Sequence, residues 1–108
     1  MRIERISKEF DRIIETTAEI ETIQDDLIFT EGPLWNTKLN SLLFSDIPAN
    51  KIYVWSDSEG RKVFRENSHF ANGLTYNPDG ELIACEHQSR SVTRTDHSGR
   101  IHDVATHY

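Results

Sequence analysis

The sequence predicts an all-β fold built from two copies of one four-stranded unit. The segment EGPLW at 31–35 has its counterpart in NGLTY at 72–76, and LLFSD at 42–46 has its counterpart in LIACE at 82–86. The offset between the copies is 39 to 41 residues, and each copy holds four short apolar runs separated by turn residues. A period near 40 residues with four strands per unit is typical of β-propeller blades.

Residues 1–25 differ from the repeats and are predicted to form an N-terminal lead segment. Helical spacing of Ile3, Ile6 and Phe10 permits a short helix. The alternation across 18–24 instead favours a strand, which could close a sheet. We therefore divide the chain into a lead, 1–25, and two blades, 26–108.

Turn residues divide each blade into strands A to D. Asn77-Pro78-Asp79-Gly80 forms a hairpin turn between two apolar runs, and Asp57–Gly60 and Asp96–Gly99 mark later hairpins. The predicted strands are 32–36, 41–46, 51–56, 61–65, 73–77, 81–86, 91–95 and 100–105.

Composition argues against several classes of function. The net charge is −6 and the basic residues are scattered, which disfavours nucleic-acid binding. No apolar run approaches the roughly 20 residues of a membrane helix. The start of the chain lacks the apolar stretch of a signal peptide, and Cys85 is the single cysteine. We therefore expect a cytoplasmic protein that binds neither nucleic acid nor membranes, with Cys85 as an inert core thiol.

Antiparallel strand order places the polar residues of the repeats on one face. Strand A starts where strand B ends, so Glu31 and Asn72 are expected beside the residues that close the B strands. Glu86 and His87 close the second B strand, and Arg90 opens the next strand. Asp46 closes the first B strand and is interpreted as fixing a turn before Ile47-Pro48.

Several spaced motifs carry a resemblance to a known family. FTEGPLW at 29–35, LFSDIP at 43–48, ANGLT at 71–75 and CEHQSRSVTR at 85–94 closely resemble the senescence marker protein/gluconolactonase-like family, in its bacterial gluconolactonase-type branch. The resemblance implies a six-bladed β-propeller that hydrolyses sugar lactones with a divalent metal, calcium or zinc. It also implies that this chain is an N-terminal fragment, because family members are nearly three times as long.

The resemblance assigns one metal ligand, Glu31, whose carboxylate suits a hard cation. The remaining ligands and the catalytic base are expected beyond residue 108, so the catalytic residues are unknown. Asn72, Glu86, His87 and Arg90 are the candidate substrate-binding residues. Glu86 or His87 could transfer protons, and Arg90 could hold a carboxylate or hydroxyl.

Two other interpretations remain open at this stage. The chain could be a non-catalytic β-propeller or β-sheet binding module, because propellers host unrelated functions. It could also be an inactive truncated product. Two blades leave faces uncovered, so we expect the chain to self-associate, to unfold, or to pair with a companion chain that supplies the missing blades.

Overall fold

Two four-stranded antiparallel sheets form the body of the protein. The computed structural model describes residues 2–107. Sheet 1 has the strand order β1-β2-β3-β4, and sheet 2 has the order β5-β6-β7-β8. The strands are β1 Thr30–Asn36, β2 Ser41–Asp46, β3 Lys51–Ser56, β4 Gly60–Glu66, β5 Ala71–Tyr76, β6 Leu82–Glu86, β7 Ser91–Thr95 and β8 Ile101–Ala105. The predicted all-β fold of two blades is confirmed, and every strand lies within two residues of its predicted bounds.

The lead segment has little regular structure. A 3₁₀ helix, Lys8–Arg12, begins after Ser7, whose hydroxyl accepts a hydrogen bond from the Glu9 N–H. The predicted strand at 18–24 is wrong, since within residues 2–107 this segment pairs with no other strand. A strand needs a neighbouring backbone to satisfy its N–H and C=O groups, and the alternating pattern alone does not supply one. The closing role of this segment stays a prediction.

Asp46, at the end of β2, links sheet 1 to the segment that precedes β1 through hydrogen bonds. Its buried carboxylate, 2% exposed, accepts hydrogen bonds from the backbone N–H groups of Ile28 at 3.0 Å and Phe29 at 3.1 Å. Asp26 adds a two-point ion pair with Arg61 on β4, whose guanidinium lies over the Tyr53 ring. Asp46 therefore orders the entry into β1, and its carboxylate is engaged there rather than in the following turn.

No helix within residues 2–107 has both the length and the apolar character to cross a membrane.

The core lies between the two sheets. Alternate residues of each strand face this layer, as expected for sheets that are buried on one side. Ile52 of sheet 1 and Ala71 and Ala84 of sheet 2 are fully buried. The members of this core are Leu43, Ile52, Ala71, Leu82 and Ala84, with Leu34, Val54, Leu74 and Tyr76 packed against them.

Gly32 permits β1 and β5, the first strands of the two sheets, to approach each other closely. The β1–β2 register shifts between Glu31 and Leu34, and Gly32 has φ +61°. A Cβ at Gly32 would lie 2.2 Å from the Asn72 carbonyl oxygen. That oxygen accepts a hydrogen bond from the Ser45 hydroxyl at 3.0 Å. The Glu-Gly-Pro motif therefore has a packing role that is separate from its carboxylate.

The connection from β4 to β5 is held by the side chain of Asn50, the residue just before β3. Asn67, His69 and Phe70 all have positive φ, which is costly for residues with a side chain. Asn50 accepts hydrogen bonds from the Phe70 N–H at 2.9 Å and the Ser68 hydroxyl at 3.3 Å, and donates one to Asn67 at 3.1 Å. These bonds fix the chain just before it enters β5.

Replacing Gly32 by alanine tests the close approach of the two sheets. A left-handed backbone costs a residue with a side chain roughly 1–2 kcal/mol. The clash with the Asn72 carbonyl should add about 1–3 kcal/mol. We expect Gly32→Ala to lower the free energy of unfolding by the sum of both, measured by urea denaturation.

Gly99→Ala is the matched control. Gly99 also has a positive φ, +87°, but a Cβ there meets nothing within 4 Å. Equal losses of stability in the two variants would contradict the proposed inter-sheet contact.

Candidate functional site

The polar residues singled out in the sequence lie at one end of the sheets. Thr30 pairs with Asp46 and Ala71 pairs with Glu86, so the starts of β1 and β5 lie beside the ends of β2 and β6. Glu31 is the second residue of β1, and Asn72 is the second residue of β5. The register therefore agrees with the common face deduced from strand order.

Four of the five candidate residues line one open groove of about 310 Å³. This groove lies on the side of sheet 2 that points away from sheet 1. Its lining consists of Asn72, Glu86, His87 and Arg90, together with Cys85, Ser91, Val92, Ala105 and His107. The predicted substrate-binding residues are thus brought together, and we call this feature the sheet 2 groove.

Glu31 does not join that groove. It lines a separate pocket of about 250 Å³ between the lead and sheet 1, with Ile23, Gln24, Leu27, Thr30, Pro33, Leu42 and Phe44. Within residues 2–107, no three His, Cys, Asp or Glu side chains are close enough together to hold a metal ion. The expectation that Glu31 is a metal ligand therefore stays a prediction.

Cys85 lies on the exposed side of β6, and its predicted burial is wrong. Its neighbours in the strand, Ala84 and Glu86, point towards sheet 1 and are buried. The apolar run around Cys85 predicts a strand covered on both sides, but within residues 2–107 sheet 2 is covered on one side.

Glu86 is a buried carboxylate with four hydrogen-bond partners. Its side chain is 2% exposed. Oε1 accepts from Arg65 Nη2 at 2.7 Å and from Thr93 Oγ1 at 2.8 Å. Oε2 lies 2.7 Å from Ser89 Oγ and 2.8 Å from His69 Nδ1. Both oxygens are therefore occupied by protein groups.

These contacts keep Glu86 ionised. Burial pushes the pKa of the Glu86 carboxyl upward, but the hydrogen bonds from Ser89, His69, Thr93 and Arg65 outweigh it and lower the pKa to about 2. A carboxylate with so low a pKa does not exchange protons near neutral pH. Of the two alternatives for proton transfer, Glu86 is therefore the poorer one and His87 is the better.

Arg65 and His69 are site residues that the sequence reasoning missed. Arg65 lies on β4 of sheet 1, so its ion pair with Glu86 crosses from one sheet to the other. One feature could have pointed to Arg65. It pairs in register with Ile52, which is fully buried, and a charged side chain at such a position needs a partner of opposite charge. His69 lies in an irregular connection, and no pattern in the sequence pointed to it.

His87 and Arg90 form the exposed rim of the sheet 2 groove. Arg90 has φ +55°, and Asn50, forty residues earlier, has φ +58°. The same backbone turn therefore opens the third strand of both sheets. This turn presents the Arg90 side chain at the end of the sheets where Asn72 and His87 lie.

The architecture defines a class of protein with repeated four-stranded sheets that pack face to face, as in β-propeller blades. The family model described as the SMP-30/gluconolactonase/LRE-like region matches residues 29–108. The chain belongs to this family.

Individual relatives agree with this assignment. A gluconolactonase from Zymomonas mobilis is 31% identical over 88% of this chain. Among solved structures, a gluconolactonase from Xanthomonas campestris matches with a TM-score of 0.75 and 29% identity over 81% of the chain. A putative gluconolactonase matches with a TM-score of 0.82 and 31% identity over 93% of the chain.

The matches span only part of those relatives. The chain covers 30% of the Zymomonas protein, and 29% and 35% of the two solved gluconolactonase chains. A streptogramin B lyase structure, 18% identical with a TM-score of 0.58, shares the fold alone.

Replacing Glu86 by glutamine tests whether its charge holds the two sheets together. The variant keeps the shape but leaves the Arg65 guanidinium buried, with its side chain 10% exposed, and without a counter-charge. Removing one partner of a buried ion pair typically costs about 3–5 kcal/mol. We expect Glu86→Gln to lower the free energy of unfolding by that amount in urea denaturation.

Glu59→Gln serves as the control, because the Glu59–Lys62 ion pair is exposed at 63% and 56%. It should change stability by less than about 1 kcal/mol. A similar small effect of Glu86→Gln would show that the buried pair is not a main source of stability.

The depressed pKa of Glu86 also predicts how stability depends on pH. The pKa falls from 4.5 to about 2 in the folded chain, so the ionised form stabilises the fold. This stabilisation should be complete above pH 4.5 and should be lost as the pH falls towards 2. Urea midpoints measured across this range should drop more steeply for the wild type than for Glu86→Gln. Parallel pH profiles of the two proteins would contradict the assignment.

Proposed function

We propose that the chain forms part of a lactone hydrolase of the gluconolactonase type. The reaction is the hydrolysis of a sugar lactone to the open-chain acid. The observation that supports this most strongly is the match of the family to residues 29–108, which include all five candidate residues. The gathering of Asn72, His87 and Arg90 in the sheet 2 groove adds support from the geometry.

The groove residues offer the chemistry that a sugar lactone requires. The Asn72 amide can donate and accept hydrogen bonds to sugar hydroxyls, and the Arg90 guanidinium can donate to a hydroxyl or to the carboxylate of the product. His87 is exposed on the rim and can accept or deliver a proton. Glu86 acts indirectly in this proposal, by holding His69 and Arg65 behind the groove.

Glu31 is proposed as one ligand of a divalent cation, calcium or zinc. Such a cation would polarise the lactone carbonyl and activate a water molecule. Among residues 2–107, Glu31 does not belong to any group of three or more His, Cys, Asp or Glu side chains that could hold a metal ion. The further ligands and the catalytic base would then come from outside these residues.

A non-catalytic binding module is the second candidate function. Its support is the fold, because β-propellers carry many unrelated functions. In either case we expect a cytoplasmic protein without nucleic-acid or membrane partners. The charge of −6 and the single cysteine support this expectation.

The first measurement asks whether the 108-residue chain is active by itself. A catalytic cation needs several ligands in a fixed geometry, and one carboxylate does not supply them. We expect the monomeric chain to hydrolyse gluconolactone no faster than buffer, measured by proton release with added calcium, zinc or manganese. Metal-dependent turnover by the monomer would show that a complete active site lies within the chain.

The second measurement places this chain in a full-length gluconolactonase. The aligned segment of the Zymomonas mobilis gluconolactonase is replaced by this chain, and correct folding is verified by circular dichroism and thermal unfolding. Lactonase activity of this chimaera supports the hydrolase. A folded and inactive chimaera favours the binding module.

Variants of the chimaera then assign roles. Glu31→Gln removes a charge but keeps the shape, so metal affinity in calorimetry and lactonase activity should fall together. His87→Ala should lower kcat or alter substrate preference while metal affinity stays the same. Unchanged metal affinity in Glu31→Gln would overturn the assignment of Glu31 as a ligand.

A further inference from the structure

The connection that leads into β5 holds an aromatic residue in an unfavourable backbone conformation. Phe70 has φ +54°, in the left-handed region. That region is uncommon for any residue with a side chain, and a bulky residue there is a clear outlier. Such strain persists only where the surrounding structure fixes it, and it concentrates at active sites and ligand-binding sites.

Hydrogen bonds from both sheets fix the backbone around Phe70. The Asn50 side chain, just before β3 of sheet 1, accepts a hydrogen bond from the Phe70 N–H at 2.9 Å. On the other side, the His69 carbonyl accepts one from the Gln88 N–H at 2.9 Å, and the His69 ring lies 2.8 Å from the Glu86 carboxylate in sheet 2. These contacts hold Phe70 beside the connection that follows β6.

The first repeat shows that the fold itself does not require this strain. Phe29 lies directly before β1, just as Phe70 lies directly before β5, yet the φ of Phe29 is not positive. The connection after β2 begins IPA at 47–49, whereas the connection after β6 begins HQS at 87–89. The strained aromatic residue and the polar connection therefore occur together in the second repeat and not in the first.

Phe70 lines an open depression of about 490 Å³ at the end of the sheets where β5 begins. The other lining residues are His87, Gln88 and Arg90, all from the connection between β6 and β7. His87 and Arg90 also line the sheet 2 groove, so the depression adjoins the candidate site. We call this feature the Phe70 depression.

The Phe70 depression places an aromatic ring next to polar side chains. A sugar ring has the same division, because its faces present C–H groups while its hydroxyls project from the rim. The Phe70 ring can pack against the C–H groups of such a face. The Gln88 side chain, which is exposed, can donate hydrogen bonds to hydroxyls and accept from them. Ligand sites combine an aromatic wall with a few polar groups in this way.

We propose that Phe70 contacts the substrate, with its ring packed against the C–H face of the sugar and with Gln88 bound to the sugar hydroxyls. This inference rests on the proposed function, which supplies the sugar lactone as the substrate class. It adds two residues, Phe70 and Gln88, to the candidate site, and it gives the strain in the connection before β5 a role in substrate recognition.

Nuclear magnetic resonance on the isotope-labelled chain tests the sugar contact without any need for catalysis. The probe is methyl β-D-glucoside, whose ring does not open in water, and the control is sorbitol, an open-chain polyol that has hydroxyls but no ring face. We expect the glucoside to shift the Phe70 ring signals and the Phe70 and Gln88 amides, and sorbitol to leave them in place. Phe70→Leu should weaken glucoside binding about two- to tenfold, because the aromatic face is lost.

Kinetics of the chimaera test the same contact during turnover. Phe70→Leu keeps an apolar side chain, so the variant should fold normally while its KM for gluconolactone rises about two- to tenfold and kcat stays close to that of the wild type. Phe70→Tyr restores an aromatic ring and should restore KM. The control is Phe64→Leu, which alters a 45% exposed phenylalanine on β4 outside the Phe70 depression and should leave KM unchanged.

The outcomes separate this inference from the proposed function. An active chimaera whose KM is unaffected by Phe70→Leu would overturn the role of Phe70 and leave the hydrolase standing. A folded chain whose Phe70 signals do not respond to the glucoside would also overturn it. An inactive chimaera, combined with glucoside binding at Phe70 in the chain, would support the sugar contact and argue against the hydrolase.

Discussion

The buried carboxylate of Glu86 is the interaction on which the arrangement of the two sheets depends. It closes β6, accepts from Arg65 of the other sheet, and binds His69 in the connection that leads into β5. One ionised side chain thus joins β6 to the end of β4 and to the connection that follows β4. Because its side chain is 2% exposed, the charge is stabilised by these donors rather than by water. His87 follows Glu86 along the chain, and Asn72 follows Ala71, the residue that pairs with Glu86 across the sheet.

Both repeats place a hydrogen-bonded carboxylate at the end of their second strand, but the hydrogen-bond partners differ. In each sheet the carboxylate that ends the second strand holds the segment that enters the first strand. Asp46 does so with two backbone N–H groups, whereas Glu86 uses the His69 ring and adds an arginine from the preceding sheet. Asp46 is therefore bound by the lead, whereas Glu86 is bound in part by sheet 1. This difference gives the two sheets of the chain different surroundings despite their common pattern.

The fold was largely predictable from the sequence, and the reasons are local. Each strand is bounded by turn residues such as Asn77–Gly80. Because the unit repeats after about 40 residues, the strand bounds predicted in one copy can be compared with those in the other. The lead was less predictable, because the alternation at 18–24 indicates a strand only where a partner edge exists. Cys85 was misplaced for a similar reason, since an apolar run does not show which of its sides a neighbour covers.

The site was predictable in part. Antiparallel order alone brings Asn72, Glu86, His87 and Arg90 to one end of the sheets, and all four line the sheet 2 groove. The sequence did not show that the Glu86 side chain points towards sheet 1, nor that Arg65 neutralises it. Those facts depend on contacts between residues 21 positions apart in different sheets. Glu31 lies in another pocket, between the lead and sheet 1.

Native-state hydrogen exchange is the most direct test of the claim that Glu86 joins the two sheets into one cooperative unit. The slowest backbone amides of β3 in sheet 1 and β7 in sheet 2 should exchange with the same opening free energy and the same urea dependence. Opening of β7 at a clearly lower free energy than β3 would show that sheet 2 unfolds on its own, and the account would be contradicted.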